Sequence, residues 1–176
     1  MPRHAMVRLL SDAVQPLLRR PPQMQVAALC WRAGAEGGVE VLLITSRGTG
    51  RWVLPKGWPM AGRTLSEAAA QEAWEEAGVR GTVADRPLGS YGALKQTDGG
   101  LPMPCRVELF ALQTADLCDR FPEAGQRRRL WVAPGTAAGL VQEPELAALL
   151  TEEAALTAAL RGGAHGRPAR GGAAAV

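Results

Sequence analysis

Three carboxylates, Glu72, Glu75 and Glu76, stand close together just after a segment punctuated by Gly57, Pro59 and Gly62. On an α-helix the positions i, i+3 and i+4 share one face, so these three acids point into one small volume. Like charges so placed repel by about a few tenths of a kcal/mol per pair. A hard divalent cation with oxygen ligands turns that repulsion into binding, and Mg²⁺ or Mn²⁺ is the guest that suits such donors. Taken alone, three clustered acids are also what an ordinary solvated helix face carries, so the flanking residues must decide.

Those residues specify the helix. Thr64 and Glu67 stand in capping-box spacing, Ala68, Ala69, Ala70, Ala73 and Ala77 are strong helix formers, and Gly78 supplies a stop. Leu65, Ala69, Ala73, Trp74 and Ala77 give an apolar side wide enough to dock on a sheet, with the acids at its edge.

The stretch resembles the signature of the Nudix hydrolase superfamily, G-x5-E-x7-R-E-U-x-E-E-x-G-U, with U an aliphatic residue. Gly57, Glu72, Ala73, Glu75, Glu76, Gly78 and Val79 fall on it at the right spacing, after the lead-in Leu54-Pro55-Lys56. Two positions depart: Arg63 replaces the first Glu of the pattern and Gln71 replaces its Arg. In the family that pair supports the metal-binding carboxylates, and losing both together leaves no lone buried charge. Arg63 is open to a bridge with Glu67, Glu72 or Gln71, or to the substrate's phosphates. It is no general base, because arginine does not deprotonate in proteins.

The resemblance implies an α/β (α+β) fold, an α/β/α sandwich with a mixed sheet over about residues 24–160. It also implies a metal-dependent hydrolase that cleaves a diphosphate linkage by water attack on phosphorus. On the matched positions Glu72, Glu75 and Glu76 are metal ligands, with Gly57 contributing its carbonyl, and Glu76 and Glu75 are the catalytic acids. Glu76 is the choice for activating the water; Glu108 and Glu123 are rivals from outside the signature.

Length and composition bound the rest. A chain of 176 residues with a mix of strand-like and helix-like segments suits one domain, here residues 23–160 between an N-terminal extension, 1–22, and a disordered Gly/Ala/Arg-rich tail, 161–176. No apolar run reaches the length of a membrane span, and the charged N-terminus does not read as a signal peptide, so a cytoplasmic protein is expected. Cys30, Cys105 and Cys118 lack metal or disulfide spacing and read as buried thiols. The formal net charge of +3 resides in the ends: residues 1–22 and 161–176 each carry +3, leaving −3 between them, which makes a nucleic-acid partner unlikely.

Periodicity predicts an N-terminal helix over 5–20 interrupted by Pro16, and strands at 24–32, 39–46, 51–54, 79–84, 88–97, 105–113 and 127–132. The first two strands form a hairpin, and Asp98-Gly99-Gly100 turns the chain between two others. Residues 115–126 read as a loop, and Pro134 and Pro144 start helices at 134–141 and 144–160.

For substrate binding the sequence offers Arg47, Arg51, Lys56, Lys95, Arg127 and Arg129, with alternation sending Arg127 and Arg129 to one face of their strand. Trp31, Trp74 and Trp131 read as core; Trp52 and Trp58 are candidates for substrate contact, with packing favoured for Trp52. The stretches TSRGTGRWVLPKGWP and FPEAGQRRRLWV are most similar to the diphosphoinositol polyphosphate phosphohydrolase group, which also acts on diadenosine polyphosphates. A small polyphosphate or dinucleotide is therefore the expected partner. Two other readings stand beside it. One is a non-catalytic sensor of a phosphorylated metabolite, favoured by Arg63 and Gln71. The other is RNA binding by the arginine-rich ends, which predicts steep salt dependence.

Overall fold

The computed structural model describes residues 21–35, 37–95, 102–162 and 167–168. In a sheet of β1 (Gln23–Ala33), β2 (Val39–Thr45), β3 (Trp52–Val53), β4 (Lys56–Gly57), β5 (Val79–Lys95), β6 (Met103–Leu117), β7 (Arg129–Val132) and β8 (Arg167–Pro168), the order is β3-β2-β1-β6-β5-β8, with β4 and β7 pairing off that path and β1 near the centre. The neighbours of β1 are β2, antiparallel, and β6, parallel, so the sheet is mixed as expected. The short strands β3 and β4 pair with β2 and β1. Strand β7 completes the other side of β2.

Alternation along β1 builds two cores. Val26, Ala28 and Cys30 meet helix α1 (Leu65–Ala77), whereas Ala27, Leu29 and Trp31 meet the opposite layer. That second layer is α2 (Pro134–Leu140), α3 (Pro144–Thr151) and α4 (Glu153–Gly162), anchored by Ala137, Leu146, Leu150, Leu156 and Leu160. The result is the α/β/α sandwich that the resemblance implied.

Helix α1 begins and ends where its sequence dictates. Thr64 accepts from the Glu67 amide while Glu67 accepts from the Thr64 amide, closing the capping box. Gly78 ends the helix at φ 70°, in the left-handed region, and its Cα lies against Cys118 O and the Phe121 ring, so a side chain there meets both strain and a clash.

Several expected boundaries differ. The two strands at 79–84 and 88–97 are one strand, β5 (Val79–Lys95), because Pro87, which has no N–H to give, is absorbed by register shifts around it. Strand β6 runs on to Leu117, taking up the first part of the expected loop at 115–126. The helix expected at 144–160 breaks at Glu152, where Thr151 Oγ1 donates to Ala147 O and competes with the helical ladder. Trp74 is half-buried under the Arg80 guanidinium, 4.0 Å from its ring centroid, rather than in the core. Within the tail expected to be disordered, Arg167–Pro168 (β8) pairs with Thr82 and Val83 of β5. The N-terminal helix over 5–20, the Asp98-Gly99-Gly100 turn and the rest of the tail lie outside the described residues. No helix among the described residues is long and apolar enough to cross a membrane.

Candidate active site

Strand β4 pairs antiparallel with β1, so its two residues present to opposite faces of the sheet. Its register sets Gly57 opposite Val26, whose side chain faces α1, and Lys56 opposite Ala27, whose side chain faces the other layer. Gly57 thus lies directly under α1, with the Glu72 carboxylate seated on its α-carbon; a methyl group at this position would overlap that carboxylate. The sequence spacing of fifteen between these residues becomes a contact.

The three helical acids differ in their surroundings. Glu76 Oε2 accepts from the Lys56 amide at 3.0 Å, and its Oε1 accepts from Arg127 Nη2. Glu75 Oε1 accepts from Gln71 Nε2 at 2.6 Å. Glu72 keeps its charge least easily: burial, then the nearby charges of Glu76, Glu75 and Glu123, push its pKa up to about 7, with Arg127 opposing. Burial also raises Glu76, against the pull of Arg127, the Lys56 amide and the Lys56 ammonium.

Arg127 is the hub of this cluster. Its side chain is only 5% exposed; Nε donates to Glu123 Oε2 at 2.7 Å and Nη1 to Thr45 O at 3.1 Å, while Nη2 reaches Glu76. Glu123 in turn takes Arg47 at 3.3 Å, and its amide donates to Glu75 O, tying the loop to α1. Spacing alone did not single out Arg127 for this purpose. It was expected to bind substrate, but its guanidinium is fully engaged inside the protein.

The alternation of the arginines holds, with a different use. Arg129 shares the α1 face with Arg127, but its Nη1 donates to Ala77 O and Cys118 O and its Nη2 to Asp119, so it caps the C-terminus of α1 rather than presenting itself to a ligand. Arg128 points the other way, over Trp52. Arg63, whose partner the sequence left open, is exposed.

The remaining candidates gather on the other side of β4. Burial lowers the Lys56 pKa, with Lys95 and Arg127 adding to that and Glu76 and Glu143 opposing it. The Lys95 ammonium lies 4.4 Å from the Trp58 ring centroid. Arg51 donates to Gln142 Oε1 at 3.0 Å and lines a cleft of about 550 Å³ with Arg106, Cys105, Leu94, Gln142 and Glu143. Sequence reasoning raised Arg106 beside Lys95 but missed Gln142 and Glu143; their convergence depends on where the loop before α3 meets the sheet, which no local signal encodes. Glu108, paired with Val26, lies on the α1 face two strands from Gly57, so the register keeps it within the acid side of the site.

The donor set fits a hard divalent cation in chemistry: several carboxylates, mutually repelling, outnumber the cationic groups buried with them. Among the described residues no three His, Cys, Asp or Glu side chains already converge as a coordination shell, and Arg127 and the Lys56 amide hold both oxygens of Glu76. Glu72, Glu75 and Glu76 are the side chains that would hold the ion.

The protein-family model of the NUDIX domain matches residues 23–116. Among curated proteins, Nudix hydrolase 13, mitochondrial, of Arabidopsis thaliana is 35% identical over 102 residues, covering 55% of this chain and 50% of the relative. Nudix hydrolase 16, mitochondrial, of the same plant is 32% identical over 117 residues, covering 65% and 64%. The chain spans about half the length of the first of these relatives. Two solved structures share the fold. A C. elegans Ap4A hydrolase gives a TM-score of 0.55 at 20% identity, over 77% of this chain and 98% of that one. The NUDIX domain of Shewanella oneidensis NrtR, complexed with ADP ribose, gives 0.55 at 15% identity, over 88% and 97%.

Proposed function

The chain belongs to the Nudix family, and on that premise we propose that it is a divalent-metal-dependent hydrolase of a diphosphate linkage in a nucleotide or diphosphoinositol-type substrate. The observation that carries this reading is the position of Lys56. Its backbone amide holds Glu76 of the acid cluster, while its ammonium interacts with Glu76 and also with Glu143, which lines the cleft. One residue thus joins a site for metal chemistry to a site for an anionic ligand.

Glu72, Glu75 and Glu76 would hold a divalent ion, which when bound would supply charge neutralisation at the phosphates and a more acidic attacking water. The chain's own groups do the rest. Gly57 lets the Glu72 carboxylate approach the loop, and Gln71 orients Glu75. Lys56 meets a phosphate as a point charge, and Arg51 with Arg106 receives the substrate's further anionic groups in the cleft. Glu76, buried and raised in pKa, is the group we assign to accepting the water's proton. The Ap4A hydrolase and the ADP-ribose complex with the same fold support a nucleotide-linked substrate.

The test is product release from diadenosine polyphosphates, diphosphoinositol phosphates, ADP-ribose and nucleoside triphosphates, with and without Mg²⁺. Metal-dependent turnover of at least one class, abolished by Glu76→Gln, is expected. Binding of these compounds without turnover assigns the chain to sensing instead, a reading that the engagement of Glu76 by Arg127 favours.

A further inference from the structure

Gln25 and Tyr91 are polar residues of the sheet that are only 3% and 1% exposed, and among the described residues neither side chain makes a hydrogen bond. Both lie on the face that α2, α3 and α4 cover: Gln25 alternates with Ala27 and Leu29 along β1, and Tyr91 belongs to the same core as those two. Strand β6 sets them in one row, since its Val107 pairs with Gln25 on one side and with Tyr91 on the other. Among the described residues, the side-chain polar atoms that are both sealed from solvent and unpaired are Thr114 Oγ1 and Trp131 Nε1. The Gln25 amide and the Tyr91 hydroxyl therefore reach solvent-accessible space. Unpaired polar groups on residues so nearly buried call for a partner.

Glu143 comes to this row from the loop before α3. It lines the cleft with Cys105 and Gln142 and lies within electrostatic reach of both the Lys56 ammonium and the Tyr91 hydroxyl. Its half-buried carboxylate makes no hydrogen bond or close ion pair among the described residues, and neither does the Lys56 ammonium.

The four groups define the chemistry of what would satisfy them. An ionised Glu143 only accepts hydrogen bonds, Lys56 only donates, and the Gln25 amide and Tyr91 hydroxyl do both. A phosphate offers acceptors alone and is repelled by the carboxylate. An inositol ring whose hydroxyls are all phosphorylated has the same defect. A ribose suits the set, because its hydroxyls donate to a carboxylate, as at the acidic residue of a dinucleotide site, while its phosphate extends to a cation. The rest of the cleft agrees with a modest anionic load: Arg106 already carries Glu145 at 2.7 Å, and Arg51 carries Gln142 at 3.0 Å.

On the reading of this cleft as the substrate site, we propose that the recess between Glu143, Gln25 and Tyr91 is a ribonucleoside subsite, with the Glu143 carboxylate accepting from the ribose hydroxyls and Lys56 holding the adjoining phosphate. Glu143 is then the residue that selects a ribonucleotide-type diphosphate over a diphosphoinositol polyphosphate.

Calorimetric titration of the full chain with ADP, 2′,3′-dideoxy-ADP and inositol hexakisphosphate, without divalent metal, reads this apart from turnover. ADP should bind about 10–100-fold more tightly than its dideoxy analogue, the range for hydrogen bonds to a charged group. Glu143→Ala should bring that ratio to near one, and a ratio within one variant is unmoved by a general loss of stability. Glu143→Gln, which removes the charge at nearly constant shape, should raise affinity for inositol hexakisphosphate about tenfold. Tyr91→Phe should weaken ADP about fivefold and leave inositol hexakisphosphate unchanged. Equal affinities for ADP and the dideoxy compound in the unmodified chain overturn the proposal, as does a ratio that survives Glu143→Ala. Hydrolysis of a diphosphate substrate beside equal affinities removes the subsite alone. A ribose-dependent ratio without turnover of any compound supports the subsite and removes the hydrolase reading instead.

Discussion

Arg127 donates to Glu76 on the α1 face of the sheet, linking the chain two residues before β7 to the helix that carries the acid cluster. With Glu123 on the same guanidinium, the ion pairs form a buried network rather than a surface pair. Removing the cation leaves two largely buried carboxylates facing each other. Arg127→Met should therefore cost about 3 kcal/mol in urea denaturation. In a Glu76→Gln background the same substitution should cost less, giving a coupling of about 1–3 kcal/mol. Additive effects would show that the pair is not energetically linked.

Gly57 is held to glycine by the Glu72 carboxylate rather than by its own backbone conformation. Gly57→Ala forces that carboxylate away from the loop. The fold should lose about 1–3 kcal/mol from overpacking, while Mg²⁺ affinity should fall about 10–100-fold through the displaced ligand. Calorimetric titration of Mg²⁺ separates the two effects. Unchanged affinity in a correctly folded variant would remove Glu72 from the ligand set.

The raised pKa of Glu72 gives stability a definite pH dependence. Its value of about 7 exceeds the ordinary 4.5, so folding favours the protonated acid. This contribution is fully present below about pH 4.5 and is lost as pH rises through about 7. Metal-free protein should thus become less stable across that window. Because a divalent ion binds the carboxylate form, the Mg²⁺-induced rise in Tm should be larger at pH 8 than at pH 5. Glu72→Gln should flatten both trends in thermal denaturation.

What the sequence revealed follows from how local each signal is. The capping box, the Gly78 stop and the alternation along β1 depend on neighbours a few residues away, and each appears in the structure where the chain spells it. The NUDIX match likewise rests on a contiguous signature. Arg127 was misread because nothing near it reveals that Glu76, fifty-one positions earlier, lies beneath it. Gln142 and Glu143 escaped notice for the same reason: the loop before α3 brings them to a cleft that Arg51 and Arg106 line from distant parts of the chain. Pro87 misled in the opposite sense, since a residue that usually ends a strand is here carried within one by a register shift.

The two faces of β4 predict that metal binding and substrate binding respond to different mutations. Lys56 stands between the two environments: its amide donates to Glu76, and its ammonium interacts with Glu76 as well as with Glu143, which lines the cleft. Lys56→Met keeps the amide and removes only the charge. Because that charge also acts on Glu76, Mg²⁺ affinity should not fall and should rise slightly, while kcat/KM should drop about 10–100-fold, the worth of one charge-assisted contact of about 1.5–3 kcal/mol. Arg51→Gln lies farther along the cleft, against Gln142. Its effect should fall mainly on KM, and should grow with the number of phosphates on the substrate, since each added anion seeks a cation in the cleft. Steady-state kinetics over a series of increasing phosphate number reads both variants. If Arg51→Gln lowers kcat equally for every member of the series and leaves KM unchanged, the cleft is not where the substrate's anionic groups bind, and Lys56 serves the acid cluster alone.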